Sequence, residues 1–191
     1  TVLSRGLGDV YKRQMQGKIK LSVLISGNGS NLQAIINATK NKDYPAEITS
    51  VISNKADAYG LRRAQDAGIK THFISHKDYA NRESFDQAMD ACLIADGAEL
   101  VVLAGFMRLV SPWFVEKWYN RLINIHPSLL PSFKGLNAQR QALEAGVAVA
   151  GCTVHFVRAE MDEGPIIVQG VVPVMADDNE DRLTERIHHM E

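Results

Sequence analysis

From Met15 onward, short and nearly continuous apolar runs alternate with stretches of helical periodicity. This alternation restricts the fold more than any other feature, because strand–helix–strand units place their strands side by side in a parallel sheet. Runs of Val, Ile and Leu with few polar interruptions are typical of strands that helices cover on both faces. The predicted strands are KLSVLIS (20–26), ITSVISN (48–54), THFIS (71–75), ELVVLAG (99–105) and RLINI (121–125). The sequence therefore predicts an α/β protein with a doubly wound, mostly parallel sheet.

The pattern changes after Gly146. GCTVHFV (151–157) alternates apolar and polar residues, and IIVQGVVPV (166–174) follows it after the short loop MDEGP. Because a loop this short suits neighbouring antiparallel strands, we expect an antiparallel extension at the C-terminal end of the sheet. The predicted helices lie at 32–40, 61–68, 83–96 and 111–118, with a last helix from near Asp178.

The two ends of the chain carry separate expectations. Residues 1–14 lack the apolar core of a signal peptide, and Met15 opens a segment that reads as a natural start. We therefore expect residues 1–14 to be a non-native or disordered leader and residues 15–191 to form a single domain. The last predicted helix reaches Glu191 without a Gly, Asn or Pro stop signal, so we expect it to be truncated.

Composition narrows the class of protein. A formal net charge of -1 argues against nucleic acid or an anionic membrane as partner. No apolar run approaches the length of a membrane span. Cys92 and Cys152 stand apart in apolar surroundings, which is typical of a reducing, cytoplasmic setting. Zinc-site patterns such as HExxH are absent from the sequence, so we expect no catalytic metal.

The segment GNGSN (27–31) follows the first predicted strand and opens a helix. Backbone amides in this context can bind a phosphate. The segment is not a dinucleotide fingerprint, because Leu32 stands where the third glycine would be, and it lacks the GK[ST] ending of a P-loop. We predict a site for one phosphate monoester, with Ser30 and Asn31 as additional donors. A plain strand-to-helix turn with Ser30 as the helix cap is the alternative.

The segment LINIHPSLLP (122–131) presents Asn124 and His126 at the end of a strand, before a proline-stiffened loop. Residues i and i+2 of an extended chain lie on one side, so both side chains can donate to one developing oxyanion. Asp162, in the loop between the last two strands, could pair with the imidazole and favour its charged form. A core histidine bonded to a neighbouring carbonyl is the alternative.

The segment AGFMR (104–108) ends the fourth predicted strand. Gly105 exposes backbone there, and Met107 and Leu109 are apolar residues at the same strand end. Such residues are ordinary core in many proteins, and a contact surface for a flat ring ligand is the sharper hypothesis. Ligands of open parallel sheets bind outside the carboxyl ends of the strands, where we expect this segment, GNGSN, the Asn124–His126 segment and MDEGP to lie.

These segments converge on one family. SGNGSNLQAI (26–35), SNKADAYGLRRA (53–64), VVLAGFMRLVSP (101–112), INIHPSLLP (123–131) and GCTVHFV with MDEGPII (151–167) together resemble phosphoribosylglycinamide formyltransferase. The resemblance covers nearly the whole chain from about residue 18. It implies a Rossmann-like formyltransferase fold. It also implies transfer of a formyl group from 10-formyltetrahydrofolate to the amine of 5-phosphoribosylglycinamide in purine synthesis, without a metal.

The resemblance also implies roles for single residues. Asn124, His126 and Asp162 match the family's catalytic residues. Gly29, Ser30 and Asn31 are implied to hold the substrate phosphate, and Glu191 to lie near the substrate amine. The folate site is implied to consist of Arg82, Met107, Arg108, Leu109, Val110, Asn124 and a closing loop of Arg158, Ala159, Glu160, Met161 and Asp162.

The chemistry of the residues agrees with this assignment. The substrate's own amine is the nucleophile, which explains why no Ser or Cys occupies an elbow such as GxSxG. Two departures from the family pattern remain. Asn137 stands where members often carry His, which weakens a proton-relay role for that loop. Ala159 replaces a common acidic residue, with little expected effect because backbone contacts are expected there.

Three other functions fit the sequence less well. Methionyl-tRNA formyltransferase needs a further tRNA-binding domain and a basic surface, and this sequence shows neither. Formyltetrahydrofolate deformylase has an additional N-terminal domain, which is also not visible in this sequence. A non-catalytic nucleotide-binding module would use GNGSN alone and leave Asn124, His126 and Asp162 unexplained. We therefore expect small-molecule substrates, no nucleic acid or membrane partner, and a monomer or homodimer.

Overall fold

A computed structural model describes residues 17–191. Residues 1–14, which we expected to be a non-native or disordered leader, lie outside the described residues. Seven strands form a single sheet: β1 Ile19–Ile25, β2 Ala46–Ser53, β3 Lys70–Phe73, β4 Leu100–Leu103, β5 Leu122–His126, β6 Val149–Phe156 and β7 Ile166–Pro173. Each of the seven predicted strands overlaps one of these, so the alternation of apolar runs located every strand within residues 17–191.

The strand order across the sheet is β3-β2-β1-β4-β5-β6-β7. β1 to β5 are parallel, whereas β6 pairs antiparallel with both β5 and β7. The predicted doubly wound, mostly parallel sheet with an antiparallel C-terminal extension is therefore confirmed. Chain order reverses direction at β1, which has β2 on one side and β4 on the other. In such sheets this switch point opens a crevice at the carboxyl ends of the strands.

Six α-helices connect the strands in the described part of the chain: α1 Ser30–Thr39, α2 Tyr59–Asp66, α3 Arg82–Ala95, α4 Pro112–Lys117, α5 Ala138–Glu144 and α6 Glu180–Met190. A 3-10 turn, His76–Asp78, precedes α3. Ser111 caps α4 by accepting from the Phe114 amide, with Pro112 in the first turn. The sequence analysis missed α5. None of the helices among residues 17–191 is long and apolar enough to cross a bilayer.

Helices cover both faces of the parallel part of the sheet. On one face, α1 and α2 pack Leu32, Ile36 and Leu61 against the β1 residues Val23 and Ile25. On the other face, α3 and α4 belong to a second apolar cluster, which contains Leu24, Leu103, Phe85, Met89, Leu93, Phe114 and Trp118. The antiparallel part has a core of its own, formed by Ala142, Ala150, Cys152, Val172, Leu183 and Ile187. Residues of β1 thus contribute to both faces, as predicted for a buried parallel strand.

Two buried carboxylates of α3 hold α4 in place. The Ser111 amide donates to Asp86 Oδ2 at 2.5 Å, and Trp118 Nε1 donates to Asp90 Oδ1 at 2.9 Å. Asp86 is 1% exposed, and its Oδ1 has no hydrogen-bond partner. Burial raises the pKa of the Asp86 carboxyl, while the Ser111 hydrogen bonds and the charges of Arg82 and Arg108 oppose that rise. The first turn of α4 therefore depends on a carboxyl group that is costly to ionise.

We predict that Asp86→Asn makes stability less dependent on pH. The amide oxygen can still accept from Ser111, and the buried charge is removed. The pKa of Asp86 is higher in the folded protein than in the unfolded chain. Its contribution to the free energy of unfolding is therefore complete below the ordinary Asp pKa of about 3.9, and it is lost as pH rises through the pKa of the folded state. Urea unfolding of both proteins from about pH 3.5 to about pH 8 should show the variant gaining relative stability as pH rises through the folded pKa of Asp86.

The matched control is Asp86→Ala, which loses the acceptor for Ser111 and should be destabilised at every pH by about 1–3 kcal/mol. A difference between wild type and Asp86→Asn that is constant with pH would contradict the burial argument.

Candidate active site

Two glycines, Gly29 and Gly60, approach each other closely at the loop after β1. Gly29 adopts φ 73°, and a Cβ on it would lie 2.8 Å from Gly60 Cα. The Gly60 amide donates to Gly27 O at 3.0 Å. Gly29 is the capping residue of α1, and Ser30 is the first residue inside the helix. The alternative interpretation of Ser30 as the helix cap is therefore wrong; without a side chain at Gly29, the first amides of α1 are left accessible.

Arg63 of α2 places a positive charge beside this loop. Its Nε donates to Asn28 O at 2.9 Å, and its guanidinium also reaches Gln33 Oε1 at 3.2 Å. The guanidinium lies over the Tyr59 ring, 4.8 Å from the centroid. These contacts attach the loop to α2. Sequence reasoning did not identify Arg63 or Gly60, because their role depends on α2 packing beside a loop more than 25 residues earlier.

The loop after β4 lies next to the loop after β1. Gly105 adopts φ 72° and accepts from the Ser26 amide at 3.1 Å, and the Met107 amide donates to Ser26 Oγ at 2.8 Å. Met107 and Leu109 expose 68% and 55% of their surface. Around them, Arg108 is half-buried with its Nε unpaired, and Val110 packs on the α3–α4 core. The loop therefore presents apolar side chains at the switch point of the sheet.

Asn124 lies on β5, where the register pairs it directly with His155 of β6. Asn124 Nδ2 is 3.2 Å from His155 Nε2, and His155 Nδ1 is 3.1 Å from Phe156 O. His155 is 2% exposed. The sequence analysis did not select His155. Its place opposite Asn124 is a consequence of the strand register, for which the sequence held no local signal.

Both ring nitrogens of His126 face oxygen atoms. Nε2 lies 3.0 Å from Phe133 O, and Nδ1 lies 3.5 Å from Asp162 Oδ2. A carbonyl and a carboxylate only accept hydrogen bonds, so a ring with protons on both nitrogens satisfies both neighbours. The His126 and Asp162 side chains are 7% and 10% exposed, which strengthens the interaction of their charges. Each ring nitrogen of His126 therefore faces an oxygen atom that can only accept a hydrogen bond.

Asp162 reaches this position from an unexpected direction. We expected MDEGP at the carboxyl ends of the strands, but β6 runs antiparallel and its last residue, Phe156, pairs with Ile123 near the start of β5. The carboxyl-end rule applies to parallel strands, but this loop folds back far enough for Asp162 to lie beside His126, the last residue of β5, where we expected it. The loop folds back because Gly164 lacks a side chain; a Cβ there would overlap the Phe156 carbonyl oxygen.

Two contacts hold the loop of Asp162 against the segment after β5. The Gly135 amide donates to Asp162 Oδ2 at 2.9 Å, and Lys134 Nζ pairs with Glu163 Oε1 at 2.7 Å. Asp162 itself adopts φ 56°, a left-handed conformation that Asp tolerates better than most residues. Asn137, in the same segment, adopts φ 58° at the start of α5. The two segments together close the site around His126.

Glu191 connects the loop after β1 to this polar group. Asn31 Nδ2 donates to Glu191 Oε2 at 3.0 Å, and the Glu191 side chain is 4% exposed. Burial raises the pKa of Glu191, whereas the Asn31 hydrogen bond and the nearby His188 and His126 rings act to lower it. The loop after β1 and the end of β5 therefore belong to one continuous site.

The remaining predicted residues line the surroundings of this site. Met161 is exposed on the folded-back loop, with Ala159 and Glu160 also exposed. Arg158 donates to Asn120 Oδ1 at 2.7 Å and stacks over Tyr119, 4.2 Å from the ring centroid. Arg82 lies at the start of α3 in an open cleft of about 560 Å³ whose lining includes Ser111 but none of Asn124, His126 and Asp162.

The arrangement suits transfer chemistry in which the protein supplies donors and a charged acid. Amide and imidazole N–H groups can stabilise an oxyanion, and a carboxylate beside the imidazole can keep it charged. Within residues 17–191, no three His, Cys, Asp or Glu side chains are grouped closely enough to share a metal ion.

Comparison with known proteins gives one consistent family. The family described as formyl transferase matches residues 19–191. Phosphoribosylglycinamide formyltransferase of Escherichia coli (strain K12) is 50% identical over 173 residues, which covers 91% of this chain and 82% of that protein. The crystal structure of glycinamide ribonucleotide transformylase 1 from Symbiobacterium toebii matches with a TM-score of 0.88 and 52% identity, over 90% of this chain and 81% of that chain.

Longer relatives contain a similar sequence as one part. The trifunctional purine biosynthetic protein adenosine-3 of Gallus gallus is 55% identical over 174 residues, or 91% of this chain. This chain spans only 17% of the length of that protein, and 13% and 14% of two insect relatives with the same name.

We predict that Gly60→Ala destabilises the protein. A Cβ on Gly60 would lie 2.5 Å from Ile25 Cδ1, 3.3 Å from Gly27 O and 3.3 Å from Gly29 Cα, so both the core and the loop must shift. Overpacking of this kind costs about 1–3 kcal/mol, measurable by urea unfolding. Gly27→Ala is the control, since a Cβ there meets nothing within 4 Å. Equal stability of the two variants would contradict the proposed close approach.

Proposed function

The chain belongs to the formyl transferase family, and on this premise we propose that it transfers the formyl group of 10-formyltetrahydrofolate to the amine of phosphoribosylglycinamide. The observation that carries the proposal is the group formed by Asn124, His126 and Asp162 in a site without its own nucleophile. His126 Nδ1 and Asp162 Oδ2 lie 3.5 Å apart. Asn124 lies two residues from His126 on the same strand.

The phosphate of the substrate is proposed to bind at Gly29, Ser30 and Asn31. The left-handed Gly29 and its contact with Gly60 support this assignment, because they leave the first amides of α1 uncovered by a side chain. Glu191 is proposed to bind the amine end of the substrate. Its hydrogen bond from Asn31 supports a path along which the substrate extends from the loop toward β5.

The folate is proposed to bind across the loops after β4 and β6. Exposed apolar side chains on both loops support this placement, with Met107 at 68%, Leu109 at 55% and Met161 at 53% exposed. Flat ring systems bind to such apolar walls with a few polar contacts for orientation. Arg82, Arg108, Val110, Arg158, Ala159 and Glu160 complete the proposed folate site.

The proposed reaction needs no covalent enzyme intermediate. The substrate amine attacks the formyl carbon and forms a new C–N bond, and the carbonyl π electrons move to oxygen. The resulting tetrahedral oxyanion collapses, and the bond between the formyl carbon and N10 of the folate breaks. The proton lost by the attacking nitrogen ends on the leaving nitrogen. Asn124 and protonated His126 stabilise the oxyanion by hydrogen bonds.

His126 is proposed to act as the charged donor and Asp162 as its partner. In the structure, Nε2 of His126 faces the Phe133 carbonyl and Nδ1 faces Asp162. One of these contacts is therefore exchanged for the formyl oxygen when the substrate is bound. Asp162, 3.5 Å from His126 Nδ1, keeps the ring charged and can position a water molecule that relays the proton between the two nitrogens.

We also propose that the protein acts in the cytoplasm as a monomer or homodimer with small-molecule substrates. The isolated Cys92 and Cys152 and the net charge of -1 support this setting.

The proposed function is tested by following product formation with phosphoribosylglycinamide and 10-formyltetrahydrofolate. Calorimetry with the substrate and with a folate analogue, separately and together, locates any failure in binding or in chemistry. Binding of both without formyl transfer, or transfer only to another amine, would overturn the proposal.

We predict that Gly29→Val weakens substrate binding and leaves binding of a folate analogue nearly intact. The left-handed φ of 73° and the 2.8 Å approach to Gly60 Cα exclude a β-branched side chain without movement of the loop. Calorimetry with each ligand measures both affinities, and Gly27→Val serves as the neighbouring control. An equal loss of affinity for both ligands would show that the loop is not a separate phosphate site.

We predict that His126 and Asp162 act as one unit. His126→Ala should lower the rate by ~10²–10⁴-fold through loss of a positioned acid. Asn124→Ala should cost on the order of 10²–10³-fold through loss of one oxyanion donor. If His126 and Asp162 share one function, the double variant should be barely slower than the slower single variant. Losses that multiply fully would show independent roles.

Asp162→Asn gives a second test of this pair. The amide removes the negative charge beside the imidazolium, so the activity of the variant should decline at a lower pH than that of the wild type as pH rises. Parallel pH profiles of the two enzymes would contradict the pairing.

A further inference from the structure

We propose that His155 is a positioning residue that fixes the orientation of the Asn124 amide for formyl transfer. The inference rests on the proposed function, in which Asn124 donates to the oxyanion. It assigns a role to a buried histidine that the proposed reaction does not otherwise use.

The strand register brings the two side chains together. His155 of β6 pairs directly with Asn124 of β5, and its side chain is 2% exposed. His155 Nε2 lies 3.2 Å from Asn124 Nδ2, and His155 Nδ1 lies 3.1 Å from Phe156 O. Each ring nitrogen therefore has one defined neighbour.

These neighbours determine the protonation of the ring. The Phe156 carbonyl can only accept, so Nδ1 of His155 carries the proton. In the neutral ring Nε2 then has a lone pair and accepts from an N–H of Asn124. The second N–H of the same amide remains free for the formyl oxygen. An amide turned by 180° would place Oδ1 beside Nε2 and present an acceptor where the oxyanion needs a donor.

The surroundings favour the neutral ring. Burial lowers the pKa of His155, and the charge of His126 lowers it further. The Phe156 hydrogen bond and Asp162, whose Oδ1 lies 3.8 Å from Nε2, act in the opposite direction. Because burial is the largest of these effects, the ring stays an acceptor at lower pH than an exposed histidine would. The neighbouring His126, by contrast, faces two acceptors.

Two substitutions separate positioning from packing. His155→Gln can place an amide oxygen near the position of Nε2 and keeps an acceptor for Asn124. His155→Phe keeps the ring volume and removes the acceptor. A positioning role predicts that His155→Phe lowers kcat by about 5- to 10-fold, the contribution of one neutral hydrogen bond, with little change in KM. His155→Gln should restore most of that loss. Equal losses in both variants would overturn the proposal.

A double variant tests whether His155 acts through Asn124. If it does, adding His155→Phe to Asn124→Ala should slow the enzyme no further, because the amide to be oriented is already gone. A merely structural role would lower the rate in both backgrounds by the same factor, and that outcome would overturn the proposal.

The ring tautomer can be measured in the unliganded wild-type protein. The ¹⁵N shifts of the His155 ring, assigned by their loss in His155→Gln, should show a protonated Nδ1 and an unprotonated Nε2 at neutral pH. A protonated Nε2 would overturn the proposal, even if His155→Phe failed to fold. Absence of formyl transfer by the wild type would overturn the proposed function, whereas transfer that is insensitive to both His155 substitutions would overturn the positioning role alone.

Discussion

The pairing of β5 with unlike neighbours is the constraint on which the site depends. β5 lies parallel to β4 on one side and antiparallel to β6 on the other. The parallel side places Asn124 level with the end of β4, at the edge where ligands of such sheets bind. The antiparallel side places His155 opposite Asn124 and turns the following loop back toward His126. A shift of one residue in either register would move Asn124 to the other face of the sheet.

The second part of the site lies at the switch point of the sheet, beside β1. The loops after β1 and β4 leave neighbouring strands there, and Ser26 joins them through the Met107 amide and the Gly105 carbonyl. The loop after β1 leaves the first amides of α1 uncovered, because Gly29 has no side chain. The loop after β4 carries exposed apolar side chains. The sheet thereby places the first amides of α1 and an apolar wall on either side of the polar group at β5, an arrangement that supports the proposed substrates.

Buried polar groups around β5 satisfy one another in a specific way. His126 faces two acceptors, whereas His155 faces one acceptor and one donor. The two histidines near one carboxylate, Asp162, therefore differ in the hydrogen-bond partners that their ring nitrogens face. Under the proposed function, one ring would donate to the oxyanion while the other orients the Asn124 amide. Neither residue type nor spacing reveals this division.

The sequence by itself determined the strands, the parallel core of the sheet and the pairing of Asn124 with His126 on one side of β5. Those features follow from burial and backbone period within single segments, and such local rules can be read from residues a few positions apart. Only the tertiary structure decided that His155 meets Asn124, that Gly60 supports Gly29 and that the loop of Asp162 approaches from the other end of β6. Each of these contacts depends on strand register and on packing between segments that are distant in the sequence. The free energy that fixes register and packing is a sum over the whole core, so no short segment reveals it.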